Sequence, residues 1–248
     1  QDRGRGKTAA LGLAALESLM QGKQHIAITA SRPDQVKMAF TIAAQALSKI
    51  ELANDIEILS SKHTLLEFEY QDELKTFEYI APDQLILTPT SADILMVDEA
   101  AHLPTPLLIE LLKRHHRMVF STTLHGYEGS GRGFEIRFKK HLNLHTPDWK
   151  HCELKSPVRW AEKDPLESVI FDTLLLKAKV AQLSEQVIEG FDSSQVIYET
   201  VESQTLLEQP QRMQALFGLL VQAHYQTSPK DLQQLLNAIQ GGLNDAVL

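Results

Sequence analysis

The chain has 248 residues, of which 43% are hydrophobic, and a formal net charge of −8. This length allows one large domain, or a domain with an appendage, around a sizeable core, and no apolar run approaches the length of a membrane span. The acidic balance argues against a module that only grips nucleic acid, since such modules are usually basic. The single cysteine, Cys152, excludes an internal disulfide and is compatible with a reducing, cytoplasmic setting.

The first eight residues (Gln-Asp-Arg-Gly-Arg-Gly-Lys-Thr) match the last part of a phosphate-binding loop, with Gln1 where the pattern has Gly or Ala. Glycines let backbone N–H groups turn toward phosphate oxygens, the lysine reaches the β- and γ-phosphates, and the threonine hydroxyl binds Mg²⁺. The helix that follows directs its positive end at the same anion. We expect the strand that precedes such a loop to lie upstream of Gln1. The predicted nucleotide-binding residues here are Gly4, Arg5, Gly6, Lys7, Thr8 and Ala9.

The segments after the loop alternate between helix and strand patterns. In chain order we predict a helix at 8–20, a strand at 25–30, a helix at 33–49, a strand at 55–60, a hairpin of 65–70 with 75–80, a short helix at 82–87, a strand at 94–97, a helix at 104–114 and a strand at 118–121. The alternation predicts an α/β fold, a RecA-like P-loop NTPase core in which helices cover both faces of a mostly parallel sheet.

Two acidic residues follow the apolar run 94–97, which is typical of a strand buried on both faces of a parallel sheet. In a nucleotide hydrolase, Asp98 at this place would hold Mg²⁺ together with Thr8, and Glu99 would orient or deprotonate the attacking water. The alternative is an ordinary strand that ends in two solvated acids. The order and separation of the loop and the acidic pair favour the nucleotide site.

A Gly-rich polar stretch, predicted to be a loop over 122–134, follows the strand that ends at Ser121. Ligands of open α/β sheets bind at the carboxyl ends of the strands, so residues 121–123 (Ser-Thr-Thr) lie where helicases link hydrolysis to nucleic-acid contact. Arg132, flanked by two glycines, is the first choice for an arginine that reaches the γ-phosphate, and Arg132, Lys7 and Glu99 are the predicted catalytic residues. The alternative is a surface loop without function.

Arg159 lies between a valine and Trp160 in a Pro-Val-Arg-Trp segment. We interpret Arg159 as a second nucleotide or RNA contact and Trp160 as a platform for base stacking; the alternative is a strand end with a packed tryptophan. His141 and His145 have a metal-binding separation, but Asn143 and Pro147 argue against a continuous helix there, so no structural metal site is predicted.

The last part of the chain is predicted to contain a helix at 165–179, a strand at 195–201, and helices from 210 onward and at 230–237.

Five motifs, taken together and in their order along the chain, resemble the helicase-like module of bacterial tRNA(Met) cytidine acetyltransferases. They are residues 4–8, 97–101 (Val-Asp-Glu-Ala-Ala), 121–123, 126–134 (Gly-Tyr-Glu-Gly-Ser-Gly-Arg-Gly-Phe) and 157–160. The Gly-Tyr-Glu-Gly-x-Gly-Arg-Gly-Phe string is the most specific part of the resemblance. Residues 210–238 resemble the lead-in to the acetyltransferase domain of that family.

The resemblance implies a helicase-like P-loop NTPase domain at 1–204 and a helical lead-in, 205–248, to a truncated GNAT-type acetyltransferase domain. It implies ATP (or GTP) hydrolysis with Mg²⁺, in an enzyme that uses acetyl-CoA to acetylate N4 of the wobble cytidine in the elongator tRNA(Met) anticodon. Residues 240–242 (Gln-Gly-Gly) lack the spacing of an acetyl-CoA pyrophosphate turn, so we expect this chain alone not to acetylate. Two alternatives stay open: a free-standing superfamily-2-like RNA or DNA helicase, and a non-hydrolysing nucleotide-binding scaffold.

Overall fold

A six-stranded sheet with the order β2-β3-β4-β1-β5-β6 organises the first part of the chain. Its strands are β1 (His25–Thr29), β2 (Ile56–Lys62), β3 (Leu65–Tyr70), β4 (Glu73–Tyr79), β5 (Ile94–Val97) and β6 (Met118–Phe120). β4, β1, β5 and β6 pair in parallel, whereas β2 and β3 form an antiparallel meander with β4. The computed structural model describes residues 4–51, 56–88, 90–123, 130–176, 178, 192, 194, 196–201, 203–223, 230–234 and 246–247.

Helices cover both faces of this sheet. They are α1 (Lys7–Met20), α2 (Pro33–Glu51), α3 (Pro82–Leu87), α4 (Thr105–Arg114) and α5 (Ser130–His145), with a single 3₁₀ turn at Ala100–His102. α2 and α3 begin with a proline followed by an aspartate, which suits the first turn because proline has no N–H to leave unpaired and the carboxylate faces the positive helix end.

The core forms two layers because successive residues of a strand point to opposite faces. Ile26 and Ile28 of β1 pack with α1 and α2, while Ala27, between them, packs with α3, α4 and α5. The arrangement confirms the predicted α/β fold with a mostly parallel sheet and helices on both faces. Among the described residues, no helix has the length and hydropathy needed to cross a membrane.

Two predictions about residues 122–147 differ from the structure. The stretch predicted to be a loop over 122–134 contains the start of α5 at Ser130; residues 124–129 lie outside the described part. α5 also continues through Asn143 to His145, so the expectation that this stretch is not a continuous helix is wrong. Phe138 and Leu142, both buried, hold the helix against the sheet, and Pro147 stands beyond its end, where proline is tolerated.

The chain divides into two compact units, Gln1–Leu124 with Gly131–Glu162, and His125–Ser130 with Lys163–Leu248. The second unit contains α6 (Pro165–Thr173), β7 (Thr200–Val201), α7 (Ser203–Glu208), α8 (Pro210–Ala223), a helical stretch at 230–234, and β8 (Ala246–Val247), which pairs antiparallel with β7. Most of its described residues are helical, as predicted for the C-terminal segment. α6 ends six residues earlier than predicted, and the strand predicted at 195–201 is reduced to two residues. The domain division after residue 204 stays a prediction.

Candidate functional site

The predicted phosphate loop turns directly into α1. Gly4 and Gly6 have φ angles of 74° and 73°, in the left-handed region where a side chain is strained and glycine is not. Gly6 is the N-cap of α1, and its carbonyl accepts a hydrogen bond from the N–H of Ala10 at 2.9 Å. The glycines therefore bend the backbone so that the N–H groups of the first helical turn face the loop, which is the geometry of an anion site.

Lys7 connects the loop to residues that follow the carboxyl ends of β5 and β6. Its Nζ donates a hydrogen bond to Thr123 Oγ1 at 2.8 Å and lies 3.8 Å from Glu99 Oε1. The Thr123 hydroxyl is in turn 3.3 Å from Glu99 Oε2. A lysine whose side chain is only 8% exposed needs such oxygen partners, so the ammonium, hydroxyl and carboxylate form one connected cluster.

Thr8 and Asp98 form a second contact in the same site. The Thr8 hydroxyl donates to Asp98 Oδ2 at 2.5 Å across 90 residues of sequence. Asp98 is fully buried, and its other carboxylate oxygen accepts the N–H of Glu99 at 3.1 Å. The two oxygen side chains are thus close enough to bind one small cation together.

The backbone fixes the acidic pair at the carboxyl edge of the sheet. The N–H of Asp98 donates to the carbonyl of Thr29, and the N–H of Ala100 donates to the carbonyl of Ser121, both at 2.8 Å. Between them Glu99 adopts φ 47° and ψ 48°, a left-handed conformation that costs a non-glycine residue about 1–2 kcal/mol. Non-glycine residues held in this way cluster at functional sites.

Mg²⁺ fits the donor set that Thr8 and Asp98 offer. Hydroxyl and carboxylate oxygens are its preferred ligands, and it is commonly bound by one or two carboxylates together with substrate phosphates and water. Within the described ranges there is no group of three or more His, Cys, Asp or Glu side chains that could hold a metal ion. His141 and His145 stack with ring centroids 6.1 Å apart but have no third ligand of this kind.

The other predicted nucleotide-binding residues do not take part in the hydrogen bonds among Lys7, Thr8, Asp98, Glu99 and Thr123 described above. Ala9 lies in the first turn of α1, and the guanidinium carbon of Arg5 lies 5.7 Å from the centroid of the Trp160 ring. Arg159 is exposed, next to Val158, whose N–H donates to the carbonyl of Gly4 at 3.0 Å. Arg132 lies near the start of α5, and its side chain falls outside the described residues.

A groove of about 910 Å³ runs beside this site, between α1, β6, α5 and the segment 147–154. Lys7 lies among its lining residues, and the lining is mainly apolar, with Leu11, Phe120, Phe138 and Leu142. β6 borders the groove and is the edge strand of the described sheet, paired with β5.

Two features were missed by reasoning from the sequence. Residues 121–123 were predicted to lie where helicases link hydrolysis to nucleic-acid contact, but the position of the Thr123 hydroxyl between Lys7 and Glu99 was not predicted. For Trp160, base stacking and a packed tryptophan at a strand end were the two alternatives, and the contact of its ring with the phosphate loop was not predicted. Neither contact could be predicted from a local sequence pattern, because each joins the loop to a residue more than 100 positions away. The Pro-Val-Arg-Trp segment indicated that the tryptophan is held in place, but it did not indicate which residues the tryptophan packs against.

Comparison with known proteins places these residues in one family. The profile described as RNA cytidine acetyltransferase NAT10/TcmA, helicase domain, matches residues 1–177. A tRNA(Met) cytidine acetyltransferase TmcA of Nitrosococcus halophilus is 41% identical over 236 residues, which is 95% of this chain and 30% of the relative. The protein of the same name from Vibrio cholerae is 39% identical over 236 residues, 95% of this chain and 31% of the relative. The chain thus spans about a third of the length of these relatives.

The solved structures that the chain resembles are more distant in sequence. The large terminase of a thermophilic bacteriophage, in complex with ATP-gamma-S, superposes with a TM-score of 0.47 at 10% identity, over 69% of this chain and 42% of the terminase. The large terminase ATPase domain of Thermus phage P74-26 gives a TM-score of 0.40 at 18% identity, over 59% of this chain and 81% of that domain.

Proposed function

Because the chain belongs to the RNA cytidine acetyltransferase family, as its helicase domain, we propose that it binds ATP at the loop of residues 4–8 and hydrolyses it. One observation carries the proposal. Side chains from the loop, from the end of β5 and from the end of β6 meet within hydrogen-bonding distance at the carboxyl edge of the sheet. An ordinary strand that ends in two solvated acids would not explain why a buried lysine, a buried aspartate and a strained glutamate lie together.

Binding of the nucleotide rests on the loop and on Lys7. The backbone N–H groups of residues 4–7 would hold the β- and γ-phosphate oxygens, and the Lys7 ammonium would balance their charge. Thr8 and Asp98 would hold Mg²⁺, which when bound neutralises charge on the phosphates. GTP could bind the same groups, since these contacts involve only the phosphates.

Glu99 would act on water. Its carboxylate accepts a hydrogen bond from the attacking water, whose oxygen forms a bond to the γ-phosphorus while the bond from that phosphorus to the bridging oxygen of ADP breaks. The proton of the water passes to the carboxylate and then to solvent. Thr123, which contacts both Lys7 and Glu99, would keep the phosphate-binding and water-binding groups in register.

The arginine that stabilises the transferring phosphoryl group is proposed to be Arg132 or Arg159. The direct contact between Val158 and Gly4 supports Arg159 as a nucleotide contact, since its neighbour in sequence is bonded to the loop. Arg159→Ala and Arg132→Ala would separate the two. Loss of the arginine that contacts the transferring group should lower the rate at saturating ATP by about 1,000-fold, on the scale of arginine fingers, and loss of the other should leave it unchanged.

We further propose that hydrolysis serves an enzyme that acetylates N4 of the wobble cytidine in elongator tRNA(Met) with acetyl-CoA, in the cytoplasm. The names of the relatives support tRNA as the partner and cytidine as the target. Residues 1–204 would form the nucleotide-hydrolysing part and residues 205–248 the lead-in to the transferase. This chain by itself is expected to transfer no acetyl group.

A phosphate-release assay, with and without tRNA, tests the hydrolysis. Lys7→Ala and Glu99→Gln should each lower turnover by at least about 100-fold, as expected for loss of one preorganised charged group, while the circular dichroism spectrum stays unchanged. Lys37→Ala and Glu69→Gln, at exposed positions, are the matched controls and should hydrolyse as the parent chain does. Normal turnover in Lys7→Ala or Glu99→Gln would reject the site, and ATP binding without any turnover in the parent chain would favour the non-hydrolysing scaffold.

A further inference from the structure

The segment 157–160 lies on the phosphate loop and is bonded to it. The N–H of Val158 donates to the carbonyl of Gly4 at 3.0 Å. The Val158 side chain faces Gly6, where a Cβ would lie 3.4 Å from both Val158 methyl carbons. This is ordinary van der Waals contact, so the segment follows the loop closely without being forced against it.

Trp160 makes a much closer approach, to Gly4. A Cβ on Gly4 would overlap Trp160 Cη2 and would lie 2.6 Å from Cζ3, a separation that non-bonded carbon atoms do not adopt. The indole therefore lies directly against the loop backbone, and the guanidinium carbon of Arg5 lies 5.7 Å from the ring centroid, within cation–π range. Trp160 thus contacts two consecutive residues of the loop.

A glycine-rich loop needs such support. The directions of its N–H groups depend on the φ and ψ angles of Gly4 and Gly6, and glycine restricts these angles less than any other residue. A loop that must be ordered when the ligand binds loses affinity, whereas a loop held in place beforehand does not. A rigid aromatic ring packed against Gly4 reduces the number of alternative conformations that the loop can adopt.

We propose that Trp160 is a positioning residue of the phosphate loop, which it holds in the nucleotide-binding conformation. The proposal rests on the proposed function, because it concerns the same site, and it assigns Trp160 no contact with the reacting atoms. Its role is distinct from the base stacking inferred from the sequence. The same packing fixes Arg159, the residue between Val158 and Trp160, beside the loop.

The steady-state kinetics of ATP hydrolysis test this role. Trp160→Ala should raise the KM for ATP about tenfold and leave kcat within about twofold, because saturating nucleotide restores the loop order that the indole supplied. Trp160→Phe, which keeps a flat ring, should restore a KM within about twofold of the parent value. Trp149→Ala removes the other tryptophan of the chain and should leave KM unchanged. A lower kcat with unchanged KM in Trp160→Ala would mean that the indole serves only stability, which overturns the proposal.

Two glycine substitutions make an independent test should Trp160→Ala fail to fold. Gly4→Ala and Gly6→Ala introduce the same left-handed strain, at φ 74° and 73°, but only the first collides with the indole. Gly4→Ala should therefore raise KM at least about tenfold more than Gly6→Ala. Equal effects would overturn the proposal.

A parallel measurement on Lys7→Ala separates this proposal from the proposed function. If Lys7→Ala abolishes turnover while Trp160→Ala keeps the parent KM, the positioning role is wrong and the hydrolytic site stands. If Lys7→Ala hydrolyses normally, the proposed function itself is wrong, and the positioning role fails with it.

Discussion

The parallel and antiparallel halves of the sheet differ in the residues that their strand ends bring together. β1, β5 and β6 run in parallel, and their carboxyl ends bring Thr29, Asp98 and Ser121 to one edge. In the antiparallel half, β3 returns to β4 through Gln71 and Asp72, both at positive φ, as a two-residue hairpin turn requires.

The difference follows from topology. A parallel connection must cross the sheet before the next strand begins, so each strand end collects groups from distant parts of the sequence. A hairpin pairs residues that are close in the sequence, so its turn does not bring together side chains from distant parts of the chain. We therefore expect substitutions in the parallel half to alter turnover and those in the antiparallel half to alter stability, and four predictions test that division.

The largest effect is expected at the carboxyl end of β5, with the amino end of the same strand as the control. Asp98→Asn removes the buried carboxylate beside Thr8 and should lower ATP turnover by at least about 100-fold, the scale of losing a preorganised charged contact. Asp93, just before the same strand, accepts the N–H groups of Gln24 and His25. Asp93→Asn is thus a matched control and should keep its turnover per folded molecule. Equal losses in a phosphate-release assay would show that the carboxyl edge is not special.

In the antiparallel half, Phe68→Ala should cost about 3–5 kcal/mol of unfolding free energy, because it leaves a cavity at a fully buried ring. Urea denaturation measures this. Glu69→Ala, at the next and exposed position, should change stability by less than about 0.5 kcal/mol. Turnover of the folded fraction of Phe68→Ala should match the parent chain, and a selective loss would couple the two halves.

Lys75 is a buried lysine on β4 whose ammonium contacts the half-exposed carboxylate of Glu73. Lys75→Met fills the same space without a charge to desolvate, and it leaves Glu73 in contact with water. We expect the unfolding free energy to stay equal or to rise by about 1 kcal/mol, since buried ion pairs seldom outweigh apolar replacements. A loss above about 2 kcal/mol in chemical denaturation would assign the pair a stabilising role.

The smallest effect concerns pH. Burial raises the pKa of the Asp93 carboxyl, but the N–H groups of Gln24 and His25 and the charges of Lys23 and Arg117 outweigh it, so the pKa lies below its usual value. A lowered folded-state pKa contributes stability above the unfolded pKa of about 3.9, and that stability is lost as pH falls through the folded value. Thermal unfolding of Asp93→Asn should therefore depend less on pH below about 4 than that of the parent chain. Parallel curves would remove Asp93 from the acid response.

Local patterns in the sequence were sufficient for most of the first unit. The apolar run of β5 and the Gly-x-Gly-Lys-Thr turn each predict their own structure, because strand burial and left-handed glycines depend on neighbouring residues. The start of α5 could not be predicted in this way. Its first turns contain Gly131 and Gly133, which disfavour a helix by about 1 kcal/mol each, and the packing of Phe138 and Leu142 against the sheet outweighs them. Tertiary contacts also decide the strand predicted at 195–201. Its β-branched residues favour a strand, but within the described part of the chain only Thr200 and Val201 pair with another strand.

The site shows the same limit. The residue types at positions 7, 8, 98 and 99 could be predicted from known phosphate chemistry, and their meeting follows once the strands are parallel. The hydroxyl of Thr123 between Lys7 and Glu99, and the indole of Trp160 on Gly4, depend on side-chain contacts with a loop more than 100 residues away. No periodicity in the sequence reports such contacts.

The left-handed backbone conformation of Glu99 lowers the stability of the fold, while its carboxylate is the group proposed to act in hydrolysis. Asparagine and glycine adopt this conformation with less strain than glutamate does, so either would relax the turn after β5 while removing the carboxylate proposed to activate water. Selection for heat resistance alone would therefore favour replacing Glu99 and would enrich well-folded, inactive proteins. Glutamate at this position is the residue that a search for greater stability would discard and that a search for activity would retain.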